Sequence, residues 1–142
     1  MAKQVCVFAE NKPGRLERIT DILMEARINI RAVTIATSQG FGIVKLLVDE
    51  PDRALDLLRR EGLSAYARQV IAVVMGDQPG GLHRIARACS SRGINIEDAY
   101  GFIIRDKEKA VMVLDVEDIP DALNMLQDAG LVMLSDEELY SL

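Results

Sequence analysis

Asn11-Lys12-Pro13-Gly14-Arg15-Leu16-Glu17-Arg18-Ile19 occurs a second time, altered, as Asp77-Gln78-Pro79-Gly80-Gly81-Leu82-His83-Arg84-Ile85. Pro79 stands 66 positions after Pro13, and the same offset joins Gly14 to Gly80, Leu16 to Leu82, Arg18 to Arg84 and Ile19 to Ile85. It then carries Ile28-Asn29-Ile30 onto Ile94-Asn95-Ile96. Each copy follows an apolar run and opens a helical pattern. A turn placed there leaves free backbone N–H groups at a helix start, which favours an anion. A single Pro-Gly is most simply a turn. Two, each with Ile-Asn-Ile at the same distance, point to a duplicated functional unit.

The repeat divides the 142 residues into two halves, 1–68 and 69–142. Domains that small bury little core alone, so each half is expected to pack against the other or against another chain. The longest apolar run is too short to span a membrane, and the N-terminus shows no leader with a cleavage site. Net charge is −5, which disfavours nucleic acid as a partner, since that surface needs basic charge. With three Tyr, three Phe and no Trp, stacking platforms are scarce as well. Cys6 and Cys89 sit in apolar patterns without motif spacing and read as reduced core residues of a cytoplasmic protein.

Gln4–Glu10 alternates too little to be a half-buried strand and reads as a central one. Leu16, Ile19, Thr20 and Leu23 make one face of a helix ending near Ala26–Ile28. Strands are expected over 29–38 and 41–49, around Gln39-Gly40. Pro51 starts a second helix, Gly62 follows its end, and 63–69 is a last strand, running into the next without a flexible linker. The second half repeats the order: strand 70–75, a helix with Leu82, Ile85, Ala86 and Cys89 inward, strands 94–104 and 110–116 around an Asp106-Lys107-Glu108-Lys109 turn, a helix from Pro120, and strand 131–134. Gly130 follows Gly62 by 68 positions, so the second hairpin is two residues longer. Ser135 and Glu138 form a capping box for a short tail helix. Each half is therefore βαββαβ: α+β, two tandem ferredoxin-like sandwiches, with helices on one face of an antiparallel sheet. Pairing of the halves edge to edge into one larger sheet is the economical way to protect strand edges.

With Asn11-Lys12-Pro13-Gly14-Arg15-Leu16 joined to Ile28-Asn29-Ile30, and Asp77-Gln78-Pro79-Gly80-Gly81-Leu82 joined to Ile94-Asn95-Ile96, each half resembles an ACT domain, the amino-acid-sensing module of biosynthetic enzymes. The first copy is similar to the small regulatory subunit of acetolactate synthase. The resemblance covers essentially the whole chain and implies an amino-acid ligand at an interface between two such domains. Carried over, it implies ligand contacts at Asn11, Gly14, Arg15, Leu16, Asn29 and Ile30, and at Asp77, Gly80, Gly81, Leu82, Asn95 and Ile96. Glycine lets a ligand approach the backbone, and an Asn or Asp side chain accepts from an ammonium group. Lys12 and Arg15 become Gln78 and Gly81, and neutral Asn11 becomes Asp77, so the two sites are expected to bind unequally.

Other readings stand beside these. Asn29 and Asn95 can equally serve only to fasten the strand entry. His83, the single His, falls on the exposed side of a helix start and reads as surface. Met112, Met125 and Met133 read as core. No catalytic residue, metal or cofactor is expected: one His builds no Ser/His/Asp or Cys/His set, and the two Cys lie in different halves. The leading expectation is a non-catalytic regulator that binds a free amino acid, forms a homodimer and acts on a partner enzyme. A ligand-free assembly module and a small enzyme on the same fold are the alternatives.

Overall fold

The computed structural model describes residues 2–104 and 109–142. Asp106, Lys107 and Glu108 of the expected turn lie outside the described residues. The chain divides into two compact units, essentially Lys3–Arg68 and Gln69–Tyr140.

The first unit runs β1 (Lys3–Glu10), α1 (Arg15–Glu25), β2 (Ile30–Ser38), β3 (Phe41–Val48), α2 (Pro51–Arg60) and β4 (Ser64–Gln69). The second runs β5 (Ile71–Gly76), α3 (Gly81–Ser91), β6 (Ile96–Ile103), β7 (Lys109–Val116), α4 (Ile119–Asp128) and β8 (Val132–Met133), with the tail helix α5 (Asp136–Tyr140). Strand order is β2-β3-β1-β4 in one sheet and β6-β7-β5-β8 in the other. Each unit is thus a βαββαβ ferredoxin-like sandwich.

Register shows how closely the halves repeat. Val5 pairs with Leu46 in the first sheet and Ile71 with Leu114 in the second. Both second-unit residues are displaced from their counterparts, by 66 positions on the first strand and 68 on the later one. The two extra residues therefore fall between β6 and β7, as the Gly62/Gly130 spacing predicts. Each edge strand also carries a register shift at the same place, between Ile30 and Ala32 and between Ile96 and Asp98. A bulge bends a strand and raises its twist, so even this irregularity is duplicated.

Alternation along the strands fills one core per unit. Val5, Val7, Val44, Leu46 and Val48 meet Ile19 and Leu23 of α1 and Ala54 and Leu58 of α2. In the second unit Ile71, Val73, Met112, Leu114 and Val116 meet Ile85 and Cys89 of α3 and Ala122, Met125 and Leu126 of α4. Each fully buried aliphatic side chain contributes about 1.5–3 kcal/mol. Gln4, Cys6 and Leu47 are also fully buried but point to the opposite sheet face, the strand period being two.

Within each unit the strands make one four-stranded sheet. Edge strand β8 is two residues long, and Ala65 of edge strand β4 gives its carbonyl to the Arg59 guanidinium at 2.8 Å.

Helix ends follow their local chemistry. Pro51 and Pro120 sit in the first turns of α2 and α4, and the Asp118 side chain accepts from the Asp121 N–H. Ser135 and Glu138 exchange the two hydrogen bonds of a capping box.

Candidate functional site

Each Pro-Gly turn hands a strand to a helix through one left-handed residue. Gly14 has φ 90° and ψ −8°, and Gly80 has φ 92° and ψ −9°. A Cβ on either would meet nothing within 4 Å, so backbone conformation, not crowding, selects glycine there. The Gly14 and Gly80 carbonyls accept from Arg18 and Arg84 N–H at 3.0 and 3.1 Å and start the helices. No side chain caps either helix. Among the described residues the N–H groups of Leu16 and Glu17, and of Leu82 and His83, have no protein acceptor, and both leucines are partly exposed, at 38% and 48%.

The first turn is tied down. Asn11 N–H donates to the Gly40 carbonyl of the β2–β3 hairpin at 2.7 Å. The Glu10 carboxylate holds Lys12 at 3.1 Å and Arg15 at 3.6 Å. The hydrogen bond from Lys12, then the Lys12 and Arg15 charges, keep the Glu10 carboxyl below its ordinary range. What remains beside Asn11, Arg15 and Leu16 is a cleft of about 90 Å³.

The second turn is stripped of those groups. Gly76, Gln78 and Gly81 stand where Glu10, Lys12 and Arg15 stand in the first. Gly81 has a local reason: a Cβ on it would collide with the Gly76 carbonyl oxygen. The cleft here is about 730 Å³, and Met75, Gly76, Asp77, Gly80, Gly81, Arg84, Lys109, Leu131 and Val132 are among its walls.

The twelve residues singled out from the sequence do not converge. Asn11, Arg15 and Leu16 share the first cleft, with Gly14 at the adjoining turn. Asn29 and Ile30 line a different groove, of about 660 Å³, with Glu17, Asp21 and Met24. The turn lies at the start of α1 and Asn29 just past its end, and eleven residues of helix separate them by about 16 Å. In the second unit Asp77, Gly80 and Gly81 come together, whereas Leu82, Asn95 and Ile96 are not among the residues lining that cleft. Asn29 also fastens the strand entry: its N–H donates to the Asp49 carboxylate at 3.0 Å, and its carbonyl accepts from Asp49 N–H at 3.1 Å.

Five further residues stand at the turns. Glu10 lines the first cleft and Gly76 the second. Arg18 and Arg84 donate to the last-turn carbonyls of α2 and α4, reaching Glu61 and Ala129 at 2.8 and 2.9 Å, which satisfies an orphan acceptor. The shared 66-residue offset of these arginines was the available signal. Lys109 pairs across the sheet with Gly76, and only sheet register brings it there.

Cys6 and Cys89 are free and buried, and burial pushes the Cys89 thiol up, which makes it a poor nucleophile. His83 is exposed. Among the described residues no group of three or more His, Cys, Asp or Glu is placed to hold a metal, and no helix is long and apolar enough to cross a membrane.

A search of curated protein sequences finds no match. Among solved structures, a protein from Bacteroides thetaiotaomicron is similar at 30% identity and a TM-score of 0.92, over 99% of this chain and 96% of that one. The regulatory subunit of aspartate kinase from Thermus thermophilus, in its ligand-free form, shares the fold at 18% identity and a TM-score of 0.66, over 90% and 92%. The regulatory subunit of aspartate kinase from Thermus flavus does so at 18% and 0.59, over 91% and 92%. The family model described as an ACT domain pair matches residues 1–142. That match takes in both glycine turns, both cores and the doubled βαββαβ order, and the chain belongs to the ACT domain pair family.

Proposed function

We propose that this ACT domain pair is a non-catalytic, cytoplasmic regulatory protein that binds a free amino acid and passes the change to a partner enzyme of amino-acid metabolism. The observation that carries the reading is the pair of open helix starts at Gly14 and Gly80, each with unclaimed N–H donors and a glycine in front of them. Such a start receives a carboxylate without reorganisation. The likeness in fold to regulatory subunits of aspartate kinase supports a partner of that kind, an enzyme on a biosynthetic route to amino acids.

Separation of Asn11, Gly14, Arg15 and Leu16 from Asn29 and Ile30 along α1 bears on assembly. No small ligand spans about 16 Å within one unit, whereas a second domain laid against the turn brings another strand entry to it. A homodimer supplies that domain, with the ligand at the interface. Binding then biases packing between chains, and the partner enzyme reads the bias.

Calorimetry of the full chain against each of the twenty amino acids, with sedimentation in parallel, tests this. Heat of binding from at least one amino acid and a dimer at micromolar concentration are expected. The ligand-free assembly module is the competing reading, favoured by edge strand β2, where Val33 and Ile35 remain 48% and 49% exposed. A dimer that binds none of the twenty establishes that alternative.

A further inference from the structure

We infer that the exposed crest of α1 is the docking surface for α3 of a second copy of the chain, so that unlike units pair between protomers. The inference rests on the homodimer read above and adds which surfaces meet and through which side chains.

Two matched positions carry opposite chemistry. The 66-residue offset sets Glu17 against His83 and Asp21 against Arg87. All four are exposed, and none has a side-chain hydrogen bond or ion pair among the described residues. Glu25, one further step of four, extends the acidic stripe on α1. The arginines of α1 are turned elsewhere, Arg15 to Glu10 and Arg18 to the Glu61 carbonyl. On the other side, α3 (Gly81–Ser91) contains no carboxylate at all.

Neither helix arranges these signs for its own benefit. A helix start favours acids and a helix end favours bases, yet α3 has no acid in its first turn and α1 ends on Glu25. Complementary charge is what two surfaces that meet would carry. Both crests are exposed within one chain, so the meeting belongs to a second copy.

Shape agrees with charge. Met24 stands 63% exposed and shares a groove with Glu17 and Asp21. Beside His83 and Arg87 is a hollow of about 380 Å³, lined in part by Ala88 and Ser91. Small side chains there leave room for a flexible thioether. Glu17 and Asp21 span about 6 Å of helix axis, as do His83 and Arg87, so both pairs form together when the helices lie side by side. Like units would set acid on acid and base on base, which opposes that pairing. Across a two-fold axis the unlike contact is made twice, α1 on α3 and α3 on α1, and the pair closes.

Sedimentation equilibrium of the full-length chain measures the association. Glu17→Arg with Asp21→Arg makes both crests basic, and His83→Glu with Arg87→Glu makes both acidic. Each double variant should self-associate about tenfold more weakly than the parent or worse. An equimolar mixture of the two should recover the parent's association, and so should one chain carrying all four substitutions, in which the signs have changed places. Met24→Ser, which writes in the residue of α3's matching Ser90, should weaken association without altering charge. Circular dichroism checks each fold, and Met24→Ser decides if a charge variant fails to fold. Double variants that associate like the parent overturn the docking and leave the homodimer standing. Weakening without recovery in the mixture or in the fourfold variant overturns it as well, because charge complementarity demands both recoveries. A parent chain that stays monomeric at high micromolar concentration overturns docking and homodimer together.

Discussion

The two halves share a backbone and differ in what they leave open. Gly14 and Gly80 agree in φ to within two degrees, and β1–β3 and β5–β7 keep the same register. The cleft of about 90 Å³ beside the first turn runs toward Ile35, Thr37 and Val44 of β2 and β3, and that of about 730 Å³ beside the second toward Leu131 and Val132 at β8, so the two lie on different flanks. At matched positions the turns differ in side chains, Glu10, Lys12 and Arg15 against Gly76, Gln78 and Gly81. Duplication keeps the parts that hold a turn in shape and frees the parts that face solvent to diverge.

The cores give the largest contrast to measure. Leu23 and Cys89 occupy matching helix positions and are both buried. Leu23→Ala should cost about 3 kcal/mol, removal of several methyl groups plus the cavity left behind. Cys89→Ala, which removes one sulfur, should cost about 1 kcal/mol. Urea unfolding of the two variants checks this, and equal costs would mean the two cores are not packed alike.

Gly81→Ala against Arg15→Ala comes next. A methyl at Gly81 meets the Gly76 carbonyl oxygen, so the helix start must move, at about 2 kcal/mol. Arg15→Ala removes a partly exposed side chain and should fall within about 0.5 kcal/mol of the parent. With φ near 90° at Gly14 and Gly80, any side chain there strains the backbone as well as filling the approach, so Asp77 reports on a ligand more cleanly.

Arg18→Ala and Arg84→Ala should behave as a pair. Each loses one hydrogen bond to the last carbonyl of the following helix, worth about 1 kcal/mol. Unequal losses in thermal unfolding would show that one arginine has another role, and the cleft beside Arg84 makes that the one to watch.

Much of this was legible in residues alone. Strand and helix order followed from apolar period, because each element buries one face: Val5 and Val7 on a strand, Ile19 and Leu23 on a helix. The glycine turns were legible because only glycine takes that backbone cheaply, and the two-residue insertion followed from Gly62 and Gly130. Alternation marks faces and carries no information on edges. Lys109 was missed because it reaches Gly76 through pairing with a strand 33 residues away, and a loop motif contains nothing about its cross-strand neighbour. Gly81 looked like a lost arginine; that its hydrogen faces a carbonyl is a matter of ångströms that spacing does not encode. Asn29 and Ile30 seemed to belong with Asn11 because they recur together, but recurrence at a fixed offset does not place residues at one end of a helix.

The smallest effect expected is electrostatic and belongs to the first turn only. Lys12 and Arg15 hold the Glu10 carboxyl below its ordinary range. Its folded pKa thus lies below the unfolded one, so any stability it contributes is present above the unfolded value and lost as pH falls through the folded value. The side chain is exposed, and solvent screens such a pair to little net stability; the shift is better read from the carboxyl itself than from unfolding. A carboxyl-detected NMR titration should place Glu10 below the other exposed glutamates. Lys12→Gln, which writes the second turn's residue into the first, should bring it back most of the way, because the Lys12 hydrogen bond is the leading cause and Arg15 the lesser. High salt should bring it back in part. Gly76 offers no carboxyl, so that shift has no counterpart at the matching position of the second turn. A Glu10 carboxyl that stays among the other exposed glutamates would mean that the first turn is not held by its own ion cluster.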